Sequence, residues 1–286
     1  MKKLKIVCFK WVTAALLLGS SFWAFAQKLP NVQTVSLRAP ANIKIDGKTT
    51  EWGNNFQAYN HATDIFYTLA NDDDRLYLII KATDLSVISK ILAGGITFTM
   101  QKSGKNNDKG GIRITYPIFE EKLQLAHRGQ VLEVMGSIDG NSNSGTAPVT
   151  AESVVTAHNK TLAEKSKVIR VTGIPGLDTT ISVYNEDGIK TAERFDLKGT
   201  DTYEITYTYE LGIDLKQLGL SFPTAIRNDP PKFTYHIALN STNSFDATIP
   251  TPANPADAAA VETKMAKVGE ALSPTDFWGE YTLAKK

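Results

Sequence analysis

The sequence is short of the residues that do covalent chemistry. It has one cysteine in 286 residues, Cys8, and four histidines, His61, His127, His158 and His236. A single cysteine excludes a disulfide framework and a thiolate metal site. The histidines show neither H-x-H nor H-x-x-x-H spacing, so a zinc site would have to be assembled from distant strands. No G-x-S-x-G elbow, P-loop or G-x-G-x-x-G run is present, so no nucleophile or phosphate cradle is visible. An excess of either charge is also lacking: 31 basic residues face 30 acidic ones. That balance gives no bulk attraction to nucleic acid or to an anionic membrane. No partner of either kind is expected.

Long apolar runs are scarce. The one at the start, Val12 to Ala26, follows Lys2, Lys3, Lys5 and Lys10 and ends in Ala24-Phe25-Ala26. This is the layout of a secretory signal peptide, with cleavage expected after Ala26. The run is shorter than the roughly 20 residues that span a bilayer. Cys8 precedes the apolar core, where a lipidated cysteine would follow it. Cleavage would remove four lysines and no acid, which turns a net charge of +1 into about −3. The remaining segment, 27–286, is long enough to bury one large core without staples. It is expected to be exported, to the periplasm, the outer surface or the medium.

What remains is rich in short β-forming runs separated by turn clusters. They are IKID (43–46), IFYTLA (65–70), RLYLIIKAT (75–83), ITFTMQ (96–101), GIRITYP (111–117), VLEVMGSI (131–138), VIRVTGI (168–174), TTISVYN (179–185), TYEITYTYEL (202–211), KFTYHIALN (232–240) and WGEYTLA (278–284). Such spacing predicts an all-β, antiparallel sandwich, jelly-roll-like. Two stretches break the pattern. AESVVTAHNKTLAEKSK (151–167) and PADAAAVETKMAKVGEAL (255–272) are rich in helix formers and are expected as short helical insertions. Three prolines between 250 and 255 keep the preceding segment out of a central strand.

The stretch NDDDRLYLIIKATD (71–84) runs three aspartates into a strand. A hairpin turn explains every residue, because Asn and Asp side chains bond nearby backbone amides. Such solvated turn aspartates would contribute little to the fold. A calcium site is the alternative at Asp72, Asp73 and Asp74, with other loops completing the oxygen set; no other cofactor is expected. A catalytic carboxylate pair would need a cleft across which the two groups face each other, and nothing nearby marks one. DGNSNSGT (139–146) has the alternating oxygens of a calcium loop, but Ser144 and Thr150 replace its glycine and its bidentate glutamate.

In order, IKIDGKTTEW (43–52), NDDDRLYLIIKATD, TYEITYTYELGIDLKQLGL (202–220) and FWGEYTLAKK (277–286) resemble the family 9 carbohydrate-binding modules and the wider DOMON-like sandwiches. The resemblance covers nearly all of 43–286 and points to a branch of secreted Bacteroidetes-type proteins. It implies two antiparallel sheets and, in most members, non-catalytic sugar binding; some members bind haem. Met100 and Met135, which could serve as axial ligands, read as core. The sequence departs from the family at 94–111, which lacks the usual acidic pattern. The family's sugar clamp of two tryptophans directs attention to Trp52 and Trp278. A flat ring stacks on the apolar face of a pyranose, so Tyr116, Tyr184 and Phe195 are further candidates. Alternation in FWGEYTLAKK sets Trp278 opposite Tyr281 and Leu283. Val261, Met265, Val268 and Leu272 on the expected helix could cover it, and it is expected to pack as core. Two functions remain: a glycan-binding module, or an envelope structural protein that kept the sandwich and lost the sugar site. An enzyme is not expected.

Overall fold

The computed structural model describes residues 28–102, 104–119, 151–199, 204–220, 229–240 and 273–286. The proposed signal peptide (1–26), the strand 131–138, His127, Met135, the loop 139–146 and the helix 255–272 lie outside them.

Two antiparallel sheets face each other. The five-stranded sheet contains β1 (Ala58–Asn60), β2 (Ile65–Asn71), β3 (Arg75–Ala82), β8 (Ile189–Lys198) and β9 (Glu204–Asp214), in the order β1-β2-β3-β9-β8. The six-stranded sheet contains β4 (Ile96–Gln101), β5 (Ile112–Tyr116), β6 (Val168–Thr172), β7 (Thr180–Ser182), β10 (Lys232–Leu239) and β11 (Thr275–Thr282), in the order β11-β10-β4-β5-β6-β7. The expected β-sandwich is what forms. One helical insertion is present as α2 (Ala151–Lys165). A second helix, α1 (Leu85–Gly94), was not expected from the sequence. Asp84, the last acid of the 71–84 stretch, caps it by accepting from the Ser86 and Val87 amides. IKID forms no strand.

Period-two patterning builds the core. In KFTYHIAL, Phe233, Tyr235, Ile237 and Leu239 turn inward, and Thr234, His236 and Ala238 turn outward. Tyr67, Leu69, Leu78, Ile80, Tyr209 and Leu211 of the opposite sheet meet the inward set in one cluster. Each large apolar side chain buried there contributes about 1.5–3 kcal/mol relative to exposure. The Tyr67 and Tyr235 hydroxyls bond across the two layers at 2.9 Å. Gly279 of β11 faces Tyr235 so closely that a Cβ would lie 2.3 Å from its ring, which fixes a glycine there.

A second apolar cluster lies on the outer face of the five-stranded sheet. Trp52 and Phe56 pack with Tyr77 and Ile79, under Ile43, Ile45 and Leu37 of the N-terminal segment. That segment hides this face. The outer face of the six-stranded sheet is polar, and the loop after β4 covers one end of it, where Thr99, Gln101 and Thr234 are buried.

The acidic turn divides its labour. Asn71 is fully buried; its side chain donates to the Ala284 carbonyl and accepts from the Tyr281 hydroxyl and the Ala284 amide, tying in the C-terminal strand. One Asp72 oxygen accepts from the Asp74 and Arg75 amides at 2.8 and 2.7 Å, and the other from the Tyr77 hydroxyl at 2.7 Å. Asp73 is exposed and ion-paired to Arg38 at 3.0 Å and to Lys286. The Lys286 bond, with Arg38 behind it, holds its carboxyl below the usual range. Asp72 is therefore not the solvated residue the sequence led us to expect. Asp72→Ala should cost about 1–2 kcal/mol, because three donors lose their acceptor, while Asp73→Ala, which breaks only exposed ion pairs, should leave the midpoint near the parent's. Urea midpoints of the two variants check this; the reverse order would refute it.

Candidate functional site

Sequence reasoning singled out five aromatic residues, and the fold scatters them. Trp52 is 6% exposed in the second cluster, and its indole N–H donates to Glu210 at 2.9 Å. Tyr116 and Phe195 lie in the main core. None of these three offers a ring face to solvent. Tyr184 is 72% exposed in the turn after β7, where its hydroxyl accepts from Lys167 at 2.5 Å. Trp278 is half-buried on edge strand β11. Strands β7 and β11 are opposite edges of the six-stranded sheet, about 24 Å apart at normal strand spacing. Tyr184 and Trp278 cannot clamp one sugar.

Trp278 corrects an expectation. It is not core: Phe277 and Tyr281 take the inward positions of β11 and leave Trp278 outward with Asp276 and Glu280. Strand alternation decides this.

The surroundings of Trp278 come from cross-strand register. His236 of β10 pairs directly with Trp278 and with Thr99 of β4. The imidazole and indole rings stack at 4.4 Å with planes 1° apart. The glycine-rich loop, described over 104–111, folds back onto this end of the sheet. Gln101 donates to its Asn107 and Lys109 carbonyls at 3.2 and 3.0 Å, and Thr234 to its Lys105 carbonyl. Asp108 of the loop lies 3.0 Å from His236 Nδ1, and Asp276 lies 3.3 Å from Nε2, a contact aligned too poorly for a hydrogen bond. His236 is thus held between two carboxylates and against the ring. The stack fixes the indole before any ligand arrives, which lowers the ordering cost of binding. On the same strand, Glu280 pairs with Lys232 at 2.7 Å.

This arrangement can hold a flat apolar face and offer carboxylate acceptors to hydroxyls beside it. It does not assemble a nucleophile with a base: among the described residues no hydroxyl or amine bonds His236. The aspartate triplet is likewise not gathered around a point. It lines an open cleft of about 960 Å³ with Arg75, Tyr77, Asp214 and three lysines. Among the described residues no three His, Cys, Asp or Glu side chains cluster to hold a metal.

Sequence reading missed His236, Asp108 and Asp276 as neighbours of Trp278. Alternation in KFTYHIALN does show His236 on the polar side of its strand. The pairing of β10 with β11, and the return of the loop at Asp108, carry no local signal.

No family model matches the chain, and no curated protein does. Among solved structures, the chain is similar to a carbohydrate binding module family 9 (CBM9) from Caldicellulosiruptor kristjanssonii in complex with glucose. The two share 10% identity with a TM-score of 0.33, over 88% of this chain and 96% of that one. A likeness this distant carries no argument about the site.

Proposed function

We propose that this chain is an exported, non-catalytic glycan-binding module, a single sandwich domain over 27–286 released by cleavage near Ala26. The observation that carries the reading is Trp278: a half-buried indole, pre-stacked on His236, on a polar sheet face with carboxylates beside it. Aromatic rings of this kind bind the C–H faces of pyranoses while neighbouring polar groups take the hydroxyls. The other candidate positions lie in the core or at the far edge.

Trp278→Ala tests it by separating stability from binding. A core tryptophan would cost about 3–5 kcal/mol, whereas loss of one aromatic stack costs about 1 kcal/mol. We expect a urea midpoint near that of the parent chain and a marked loss of retention on insoluble polysaccharide. Retention equal to the parent's would remove Trp278 from the site. A parent chain that no glycan retains would favour the envelope structural role instead.

A further inference from the structure

Beyond Trp278, the same sheet face carries two arginines without acidic partners. Arg113 on β5 and Arg170 on β6 are both exposed. Among the described residues neither comes within ion-pairing distance of a carboxylate. Arg113 pairs with Thr172, to whose hydroxyl its Nε donates at 3.1 Å, and Arg170 pairs with Thr115. Register therefore sets the two arginines on a diagonal of adjacent strands, about 7–8 Å apart along the backbone.

A strip of small side chains joins them to the Trp278 edge. The row Asp276, Ala238, Thr97, Thr115, Arg170 crosses from β11 to β6. Its three middle residues are part-exposed. The next row, Trp278, His236, Thr99, Arg113, is closed in the middle, with Thr99 fully buried. The open row is therefore a shallow floor about 19 Å across four strand spacings, running from Asp276 to Arg170, with the Trp278 indole and the Arg113 guanidinium beside its two ends on the closed row. Its hydroxyls are already ordered: Thr97 and Thr115 bond at 2.8 Å, and Asn240 donates to Thr97 at 2.9 Å.

We infer that this strip takes an acidic polysaccharide, a chain of sugars bearing carboxylate groups, laid across the strands with one ring on Trp278 and carboxylates at Arg113 and Arg170. The inference rests on the glycan reading above and adds the charge class of the ligand. A guanidinium matches a carboxylate in two parallel bonds, and small floor residues let sugar rings approach the sheet. A nucleic acid fits less well. Its phosphates recur at every nucleotide and would meet Asp276 and Glu280 at the Trp278 end, where a sugar can present hydroxyls instead.

Affinity electrophoresis of the full chain tests this with three gels: polygalacturonate, its fully methyl-esterified form, and hydroxyethylcellulose. We expect stronger retardation by the acid than by the ester. The Arg113→Gln, Arg170→Gln double variant should lose about tenfold in affinity for the acid, as two exposed charge contacts allow, and behave as the parent does with the ester and the neutral glucan. Trp278→Ala should weaken all three. Equal retardation by acid and ester, unchanged in the arginine variant, would overturn the charge class and leave glycan binding standing. No retardation in any gel would overturn both. Arginine-dependent binding of duplex DNA as tight as that of polygalacturonate would overturn the polysaccharide assignment.

Discussion

Replacing Glu210 with alanine is expected to destabilise the fold by about 3 kcal/mol, as removal of a buried acceptor with several donors should. Glu210 lies on β9, is fully buried, and faces the second apolar cluster. One carboxyl oxygen accepts from the Trp52 indole at 2.9 Å; the other accepts from the Asp46 and Gly47 amides at 2.9 and 2.8 Å. Truncation leaves three N–H donors with no partner. Partial release of the 43–57 segment into water limits the cost, because the donors can then hydrate. Glutamine is no remedy. Its amide keeps one acceptor oxygen but points an NH₂ group at donors on the other side. Gly47 belongs to the same lock. It has φ +78°, and a Cβ there would lie 2.8 Å from the backbone of Glu193 and from the Arg194 side chain, so Gly47→Ala should also destabilise. Urea titration measures these effects. A Glu210→Ala midpoint within about 0.5 kcal/mol of the parent, the range of a neutral surface change, would show that the lock is not structural.

That lock explains why part of this molecule could be read before it was seen. The D-G…W opening and the late Y-E strand are separately weak, yet the Asp46 and Gly47 amides and the Trp52 indole converge on Glu210 about 160 residues away, so the two stretches form one structural unit. Strands with clean alternation, such as KFTYHIAL, were legible because one face is apolar. Strand β8, IKTAERFDLK, was not. It is an edge strand whose inward positions include Thr191 and Glu193, so its pattern breaks where it meets the interior. Helix α1 escaped because its apolar run, LSVISKILAG, is short and buried on most sides, which blurs the amphipathic period. The site was half legible. Alternation turned Trp278 outward, but pairing registers put His236, Asp276 and the arginines on its face, and a register is a property of two strands that neither one displays.

The fold should be more stable at pH 5 than at pH 8, by about 3 kcal/mol, the reverse of ordinary acid loss. Two buried glutamates drive this. Burial pushes Glu210 from 4.5 up to about 7 and outweighs the N–H donors that favour its charged form. Burial does the same to Glu193, up to about 7, although Ser166 and the Tyr207 hydroxyl donate to it. A raised folded value means the native state holds the proton more tightly. The stabilisation is complete below about 4.5, where the unfolded chain is protonated too, and is lost as pH rises through about 7. At about 1.4 kcal/mol per pH unit, one such group contributes about 3 kcal/mol when fully buried. Glu193 is only half-buried, and solvent screening trims its share. On the acid side Asp84 acts in the opposite sense. The Ser86 hydroxyl and the helix amides hold it below the usual range, so its contribution is lost as pH falls below about 3.8. The stability maximum should therefore sit near pH 4, between those two limits. Urea midpoints at pH 5, 6, 7 and 8 check it. Glu193→Gln is the informative variant: its amide can accept from Ser166 and donate to Tyr207, so the bonds survive while the titration does not. The variant should show a shallower slope and gain stability at pH 8. The Glu210→Ala penalty should be larger at pH 5 than at pH 8, where the native carboxyl has already lost its favourable proton. A parent profile that is flat, or that rises from pH 5 to pH 8, would show that neither glutamate is held protonated by the fold.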